Sequence, residues 1–443
     1  MTACGDRHVQ PARSATATRA AAVERVTGRI VDVLDLFPIT ARVDESELSL
    51  GGVPVSQLAD EHGTPLVVYC EETIRAQARA YRKAAPDALV VYGTKAFANI
   101  ALLHLLAEEG IGADVSTLGE LEFSRAAGIP GAHTLFHGNN KSDEELHAAA
   151  EAGATVVLDA PDEPARAAAA GVRRVLVRLT PGVEAVTHES IRTAHEASKF
   201  GLAPDAALGV IAEASKLGLD VAGVHFHLGS QLAQIDESLV AVERLVAFCD
   251  FARDELGWTP KVLDIGGGLG IRYTREEQVP SIEEFVGPLV AGLPAGAQVV
   301  LEPGRSLVGR AGVTLYRVGV VKQSAGIAYV AIDGGMSDNP RPQLYGARFE
   351  ALLANRAAEQ PDEAFRVAGK HCESGDVLID SVALPRPRRG DLLAVPATGA
   401  YTLAMSSTYN GVPRPGAVLV RDGKAKLIRA RETVSDLVRY ERS

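Results

Sequence analysis

Residues 88–95 read ALVVYGTK, an apolar run that stops at a glycine, a threonine and a lysine. A short β-branched run ended by a turn signal is the pattern of a strand buried on both faces. Seven further segments share it: GADVST (112–117), TLFHGN (134–139), TVVLDA (155–160), RRVLVRLTP (173–181), GVHFHLGS (223–230), KVLDIGGG (261–268) and QVVLEPGR (298–305). Between them lie stretches of helical period such as NIALLHLLAEEG, GELEFSRAAG, SDEELHAAAEAG and ESLVAVERLVAFCDFARDEL, several opened by Ser, Asn or Asp and closed by Gly. Eight parallel strands with helical crossovers close into a (β/α)8 barrel of the TIM type, an α/β fold whose reactive groups lie at the C-terminal ends of the strands. Lys95, His137, His227, Gly266 to Gly268, Glu302 and Arg305 all fall at those ends.

Outside this rhythm the texture changes. After Arg305 come short alternating segments, VTLYRVGVV, IAYVAIDGG, FRVAGK, DVLIDSV, DLLAVPA and AVLVRDGKAKLIRA, broken by Gly, Pro and Asp turns. These predict a C-terminal antiparallel β domain. The turn-broken stretch RVDESELSLGGVPVSQL ahead of the barrel is expected to join it. The expected organisation is therefore a disordered tail over 1–34, an N-terminal contribution to the β domain over 35–70, the barrel over 71–308 and the β domain over 309–443.

Composition narrows the partners. The 443 residues are 47% hydrophobic, enough for a large core and a smaller one. A net charge of −11 argues against nucleic acid. Cys4, Cys70, Cys249 and Cys372 are widely spaced and show neither a disulfide framework nor a zinc pattern, which fits a reducing cytoplasm. No run reaches the roughly 18 apolar residues of a membrane span. The alanine-rich N-terminus, with Arg7, Arg13, Arg19, Arg25 and Arg29, lacks the apolar core of a secretory signal.

The residues at the strand ends suggest one chemistry. A lysine dried by its strand is expected to have a lowered pKa, giving the free amine that captures an aldehyde as an imine. GGGLG (266–270) lets backbone N–H groups approach a phosphate, and it is not the dinucleotide fingerprint. EPGR (302–305) places a carboxylate that can keep a pyridine nitrogen protonated beside a guanidinium that can fork onto an anion. In HFHLGSQ (225–231), His227 can stack on a flat ring and Ser230 can donate to a phosphate oxygen. Two inward histidines also suit a metal, but no acidic ligand cluster accompanies them in sequence, and no metal is expected. Farther on, Arg341 and Tyr345 suit a carboxylate, Glu373 an ammonium, and Cys372 protonation of a carbanion; Tyr401 follows in GAYT.

Taken together, YGTKAFAN, FHGNNKS, HESIRTAHEASKFG, HFHLGSQ, DIGGGLGI, EPGRSLVG, GGMSDNPRP, CESGD and GAY occur in one order. In these motifs, over about residues 45 to 440, the chain resembles the diaminopimelate decarboxylases, within the alanine-racemase-like fold type of pyridoxal-phosphate enzymes. The resemblance implies Lys95 as the imine-forming lysine and His227 stacked on the cofactor ring. It implies Ser230, Gly266, Gly267, Gly268, Gly304 and Arg305 around the cofactor and Glu302 at the pyridine nitrogen. Arg305, Arg341, Tyr345 and Glu373 would hold substrate, Tyr401 would touch both, and Cys372 would be the proton donor. It further implies a head-to-tail homodimer in which Cys372 and Glu373 reach the neighbouring barrel. The expected reaction is decarboxylation of meso-2,6-diaminopimelate to L-lysine, closing lysine biosynthesis. A related decarboxylase with an altered substrate, a racemase on the same barrel, and a non-catalytic regulator are the competing readings.

Overall fold

The computed structural model describes residues 33–180 and 198–442. The expected tail over 1–34 lies almost wholly outside the described residues, as does most of the motif HESIRTAHEASKFG. All eight strands form and pair in parallel in one closed ring: Leu89–Gly93, Gly112–Val115, Thr134–Phe136, Thr155–Leu158, Arg174–Arg178, Asp220–His225, Val262–Asp264 and Gln298–Leu301. Closure comes from the pairing of Val300 with Leu89 and of Leu301 with Val90.

Strand alternation explains the apolar runs. Val91, Leu135, Val157, Leu176, Ala222, Val262 and Val300 form one cluster that fills the barrel interior. Their neighbours Val90, Tyr92, Phe136 and Val156 belong to the larger cluster packed under the helices. Both faces are buried, so both must be apolar. The helices start where the sequence signals them. Asn99 accepts from the Leu102 N–H, and Ser142 with Glu145 and Ser281 with Glu284 form capping boxes.

The second layer is a nine-stranded sheet organised on the long strand Gly312–Ser324. Ile327–Ile332, Leu392–Val395 and Leu66–Cys70 all run antiparallel to it. The sheet is mixed rather than purely antiparallel. Leu66–Cys70 pairs in parallel with Gly416–Arg421, and Ile327–Ile332 in parallel with Glu363–Ala368. The reason is connectivity: a strand delivered from ahead of the barrel, or by a long excursion, is free of the reversal that a hairpin imposes. True hairpins occur where the turn chemistry demands them, as at Asp422–Gly423, where both residues have positive φ.

Barrel and sheet are joined closely. Tyr69 stacks on Phe97 at 5.0 Å and donates from its hydroxyl to the Gly399 carbonyl at 3.0 Å. A Cβ on Gly312 would lie 2.2 Å from the Gly399 Cα, so backbone approaches backbone with no room for a side chain. Gly312→Ala is therefore expected to destabilise the protein by about 2–3 kcal/mol. Gly209→Ala, on an open position of the helix Pro204–Lys216, should instead stabilise it by about 0.5–1 kcal/mol. Denaturant midpoints of the two variants test this, and equal midpoints would contradict the packing account.

Candidate active site

Each strand ends in a polar side chain, and together these make a ring at the barrel mouth. In chain order the ring is Lys95, Asp114, His137, Asp159, Arg178, His225, Asp264 and Glu302. All but Lys95 are buried. Lys95 is 52% exposed, toward a cavity that it lines with Asp114, His137, Arg178, His225, His227 and Glu302. On the far side the same cavity is lined by Ser230, Gly268, Gly304, Arg305, Arg341, Tyr345 and Tyr401.

Charges that would be costly alone are paired across the ring. Lys95 Nζ lies 3.4 Å from Asp114 Oδ2, and Arg178 lies 3.3 Å from Asp159 Oδ2. His137 Nε2 sits 2.6 Å from Glu302 Oε1, and His225 Nε2 donates to Glu302 Oε2 at 3.2 Å. Burial by itself would raise the Glu302 carboxyl, but His137 and His225 hold it well below the usual range, so it is a carboxylate. Burial, reinforced by the charge on Glu302, pushes Asp264 the other way, so it stays protonated. His225 is pushed down to about 4 by burial, against the pull of Glu302, and is neutral. Burial and the nearby Lys95 charge also keep His227 neutral, and its Nδ1 accepts from the Gly267 N–H at 3.3 Å.

Lys95 departs from the sequence expectation. The Asp114 carboxylate raises its pKa above the ordinary lysine value and outweighs the burial that would lower it. Lys95 beside Asp114 is therefore an ammonium. Nothing in YGTKA shows this, because Asp114 lies on the next strand.

The glycine loop also works differently from its sequence reading. The Gly266 N–H is taken by Asp264 Oδ1 at 2.9 Å and the Gly267 N–H by His227, and of the three glycines only Gly268 lines the cavity. A Cβ on Gly267 would meet the Glu302 carbonyl at 2.2 Å, so glycine is needed here for close packing against the next strand end.

The opposite wall is rich in cations. Arg305 donates to Ser230 Oγ at 2.9 Å and to the Tyr273 hydroxyl, and its guanidinium lies 4.7 Å from the Tyr401 ring. Arg341 lies 5.1 Å from the Tyr273 ring and 5.6 Å from that of Tyr345. Burial, the neighbouring Arg305 among the lesser causes, lowers the pKa of Arg341. Among the described residues neither arginine has a carboxylate partner, and the Nε of each is buried without a hydrogen bond. Such a wall is built to receive anions. His137, His225, Asp264 and Glu302 could also bracket a cation, their ligand atoms lying within 4.8 Å of one another. His137 Nε2 and Glu302 Oε1, 2.6 Å apart, are both buried without a hydrogen bond of good geometry.

Residues 71–309 match the family model for the pyridoxal binding domain of pyridoxal-dependent decarboxylases. The chain is 41% identical over 419 residues to the diaminopimelate decarboxylase of Bacillus subtilis, covering 89% of this chain and 95% of that protein. The diaminopimelate decarboxylase of Actinosynnema pretiosum is also 41% identical, over 94% of this chain and 97% of that one. This chain belongs to the diaminopimelate decarboxylase family. The structure of the family member from M. jannaschii, solved with L-lysine, superposes with a TM-score of 0.85 at 32% identity over 90% of this chain and 97% of that one.

Against the family frame, the fold gathers Lys95, His227, Ser230, Gly268, Glu302, Gly304, Arg305, Arg341, Tyr345 and Tyr401 around one cavity. It does not bring Cys372 or Glu373 there. Both are exposed, in the run Cys372 to Gly375, away from the cavity of their own chain. Asp114, Arg178, His225 and Asp264 also belong to the site and were not singled out for it by sequence reasoning. Their signal was available: each is an ionisable residue within or at the end of an otherwise apolar strand.

Removing the Asp114 charge in Asp114→Asn should lower the Lys95 pKa in cofactor-free protein. The free-amine fraction at pH 8 then rises. Reductive methylation of Lys95, followed by mass spectrometry, is expected to be faster in the variant; an unchanged rate would mean that burial controls this amine.

Proposed function

We propose that this protein is a pyridoxal-phosphate-dependent decarboxylase that converts meso-2,6-diaminopimelate to L-lysine and carbon dioxide, the last step of lysine biosynthesis. The observation that carries this reading is a single cavity holding a half-exposed lysine amine on one wall and, on the other, two arginines that have no carboxylate partner among the described residues. Family membership narrows the substrate to a diamino diacid, named for the relatives in Bacillus subtilis and Actinosynnema pretiosum.

The side chains fit the cofactor. When bound, pyridoxal phosphate supplies an aldehyde that condenses with an amine and a ring that withdraws the electron pair left by departing carbon dioxide. Lys95 offers the amine, and Asp114 beside it is placed to accept the proton that amine must lose. His227, neutral and turned to the cavity, presents a flat uncharged face for the ring. Glu302, kept ionised by two histidines, would keep a proton on the pyridine nitrogen of a bound cofactor and so maintain the ring's pull on electrons. Ser230 and Arg305, with the backbone at Gly268 and Gly304, form the region suited to the phosphate. Tyr401, which lines the same cavity, would touch both cofactor and substrate.

Specificity follows from the arginine wall. Arg341 with Tyr345, aided by Arg305, holds the distal carboxylate of the substrate, and Glu373 holds its distal ammonium. A diamine precursor without that carboxylate leaves a buried guanidinium unpaired, a penalty worth roughly a thousandfold in discrimination. Cys372 delivers the proton that replaces the lost carboxylate. Because Cys372 and Glu373 are exposed and outside their own cavity, the reading includes a homodimer in which each protomer completes its partner's site. The enzyme would work in the cytoplasm. Among the described residues no helix is long and apolar enough to cross a membrane, and Cys70, Cys249 and Cys372 are free thiols.

Carbon dioxide release from meso-diaminopimelate, ornithine, arginine and lysine, each incubated separately with the protein and pyridoxal phosphate, tests the substrate. Release from the first alone is expected, and release from ornithine at a similar rate would refute the assignment. Glu373→Ala should raise KM steeply while leaving cofactor affinity within about twofold, since a substrate contact is lost and no cofactor contact is. Lys95→Ala and Cys372→Ala should each be inactive alone. Their reassociated mixture should recover about a quarter of wild-type activity, half of the dimers being mixed with one intact site each. No recovery would argue against shared sites.

A further inference from the structure

The exposed run Cys372 to Gly375 is bounded on each side by a buried polar residue, His371 and Asp376. Asp376 is 3% exposed and accepts three hydrogen bonds. Its Oδ2 takes the His371 N–H at 2.9 Å and the His371 Nδ1–H at 2.7 Å, and its Oδ1 takes the Met336 N–H at 2.7 Å. The surrounding backbone is shaped to the carboxylate. A Cβ on Gly335 would lie 2.5 Å from Asp376 Oδ1, and one on Gly369 would lie 2.0 Å from Oδ2.

These bonds join two pieces of chain with different tasks. Met336 belongs to the loop that runs into the short helix Arg341–Tyr345, which carries the arginine and tyrosine of the cavity. His371 opens the loop that carries Cys372 and Glu373. Further links run in parallel: Lys370 N–H to the Gly334 carbonyl at 3.0 Å, and Gln343 Nε2 to the carbonyls of Gly375 at 3.1 Å and Val377 at 2.9 Å. The Cys372 N–H is held by Asn410 Oδ1 at 2.9 Å, and the His371 ring stacks on Tyr409 at 5.8 Å.

We propose that Asp376 is a positioning residue for the reaction: it holds the Cys372–Glu373 loop in register with the Arg341 loop through His371 and Met336. The inference rests on the decarboxylase reading above, in which Cys372 donates a proton and Glu373 holds substrate. A buried carboxylate with three donors resists displacement, since each lost bond would leave a polar group unsatisfied. The backbone ends of the loop are therefore fixed while its side chains project outward, as a group that must act in a neighbouring cavity requires.

Asp376→Asn keeps the shape but sets an amide NH2 against donors. In the holoenzyme it should lower kcat/KM for meso-diaminopimelate by roughly 100-fold, chiefly through kcat. Cofactor affinity should stay near wild type, while the lost buried hydrogen bonds lower the melting temperature by a few degrees. Carboxamidomethylation of Cys372 by iodoacetamide, followed by mass spectrometry, should change rate by at least about threefold as the loop loosens. His371→Asn, which returns an amide donor near the Nδ1 position, should recover much of the activity that His371→Ala loses. If Asp376→Asn does not fold, Gln343→Ala removes only the parallel links and should show the same changes at smaller size, roughly fivefold in kcat/KM. Wild-type kcat/KM and alkylation rates, or a loss of cofactor in step with activity, would overturn the proposal. Wild-type protein inactive on meso-diaminopimelate would refute the functional reading instead, while the alkylation comparison would still decide whether Asp376 fixes the loop.

Discussion

Closure of the barrel between Gln298–Leu301 and Leu89–Gly93 is the constraint on which the rest of the molecule depends. It sets the first strand end beside the last, so that Lys95 and Glu302 line one cavity although more than 200 residues separate them. A closed parallel barrel also has every strand pointing the same way, so eight strand ends meet on one rim. The interior below that rim is apolar, which leaves the mouth as the place where ionisable groups can gather and still reach partners.

Gathering them creates an electrostatic problem that the ring solves by pairing. Asp114 answers Lys95, Asp159 answers Arg178, and two histidines answer Glu302, while Asp264 stays protonated. The balance is unequal across the cavity. Carboxylates and histidines predominate at the strand ends, where Lys95 and Arg178 are paired, whereas Arg305 and Arg341 face them with tyrosine rings as their only flat partners among the described residues. A ligand that turns its anionic groups toward the arginines and its protonated nitrogens toward the strand ends would complete this distribution of charge.

The β domain contributes through two loops rather than through its sheet. The loop around Met336 leads to Arg341 and Tyr345 in the cavity of its own chain, and the loop after His371 carries an exposed cysteine and glutamate outward. Asp376 ties them together. The hydrogen bonding here is dense because both loops must be rigid without regular secondary structure, and a buried carboxylate among backbone N–H groups provides that rigidity.

Much of this was legible in the chain itself. The eight apolar runs, their helical spacers and their caps determined the barrel, because strand and helix periods are written locally and a parallel order leaves few closures. The polar residues at the ends of those runs marked the rim, and the motif order marked the family. What only the tertiary structure decided were quantities set by neighbours distant in sequence. Lys95 reads as a dried, neutral amine until Asp114 on the adjacent strand is seen 3.4 Å away and makes it an ammonium. Gly266 and Gly267 read as phosphate ligands until His227, Asp264 and the Glu302 carbonyl are found against them. The β domain reads as antiparallel until Leu66–Cys70 is found beside Gly416–Arg421. Local pattern determines secondary structure because it depends on a residue's nearest chain neighbours. Charge state, close packing and strand direction depend on whichever groups the fold brings within a few ångströms, and those become known only when the chain has closed on itself.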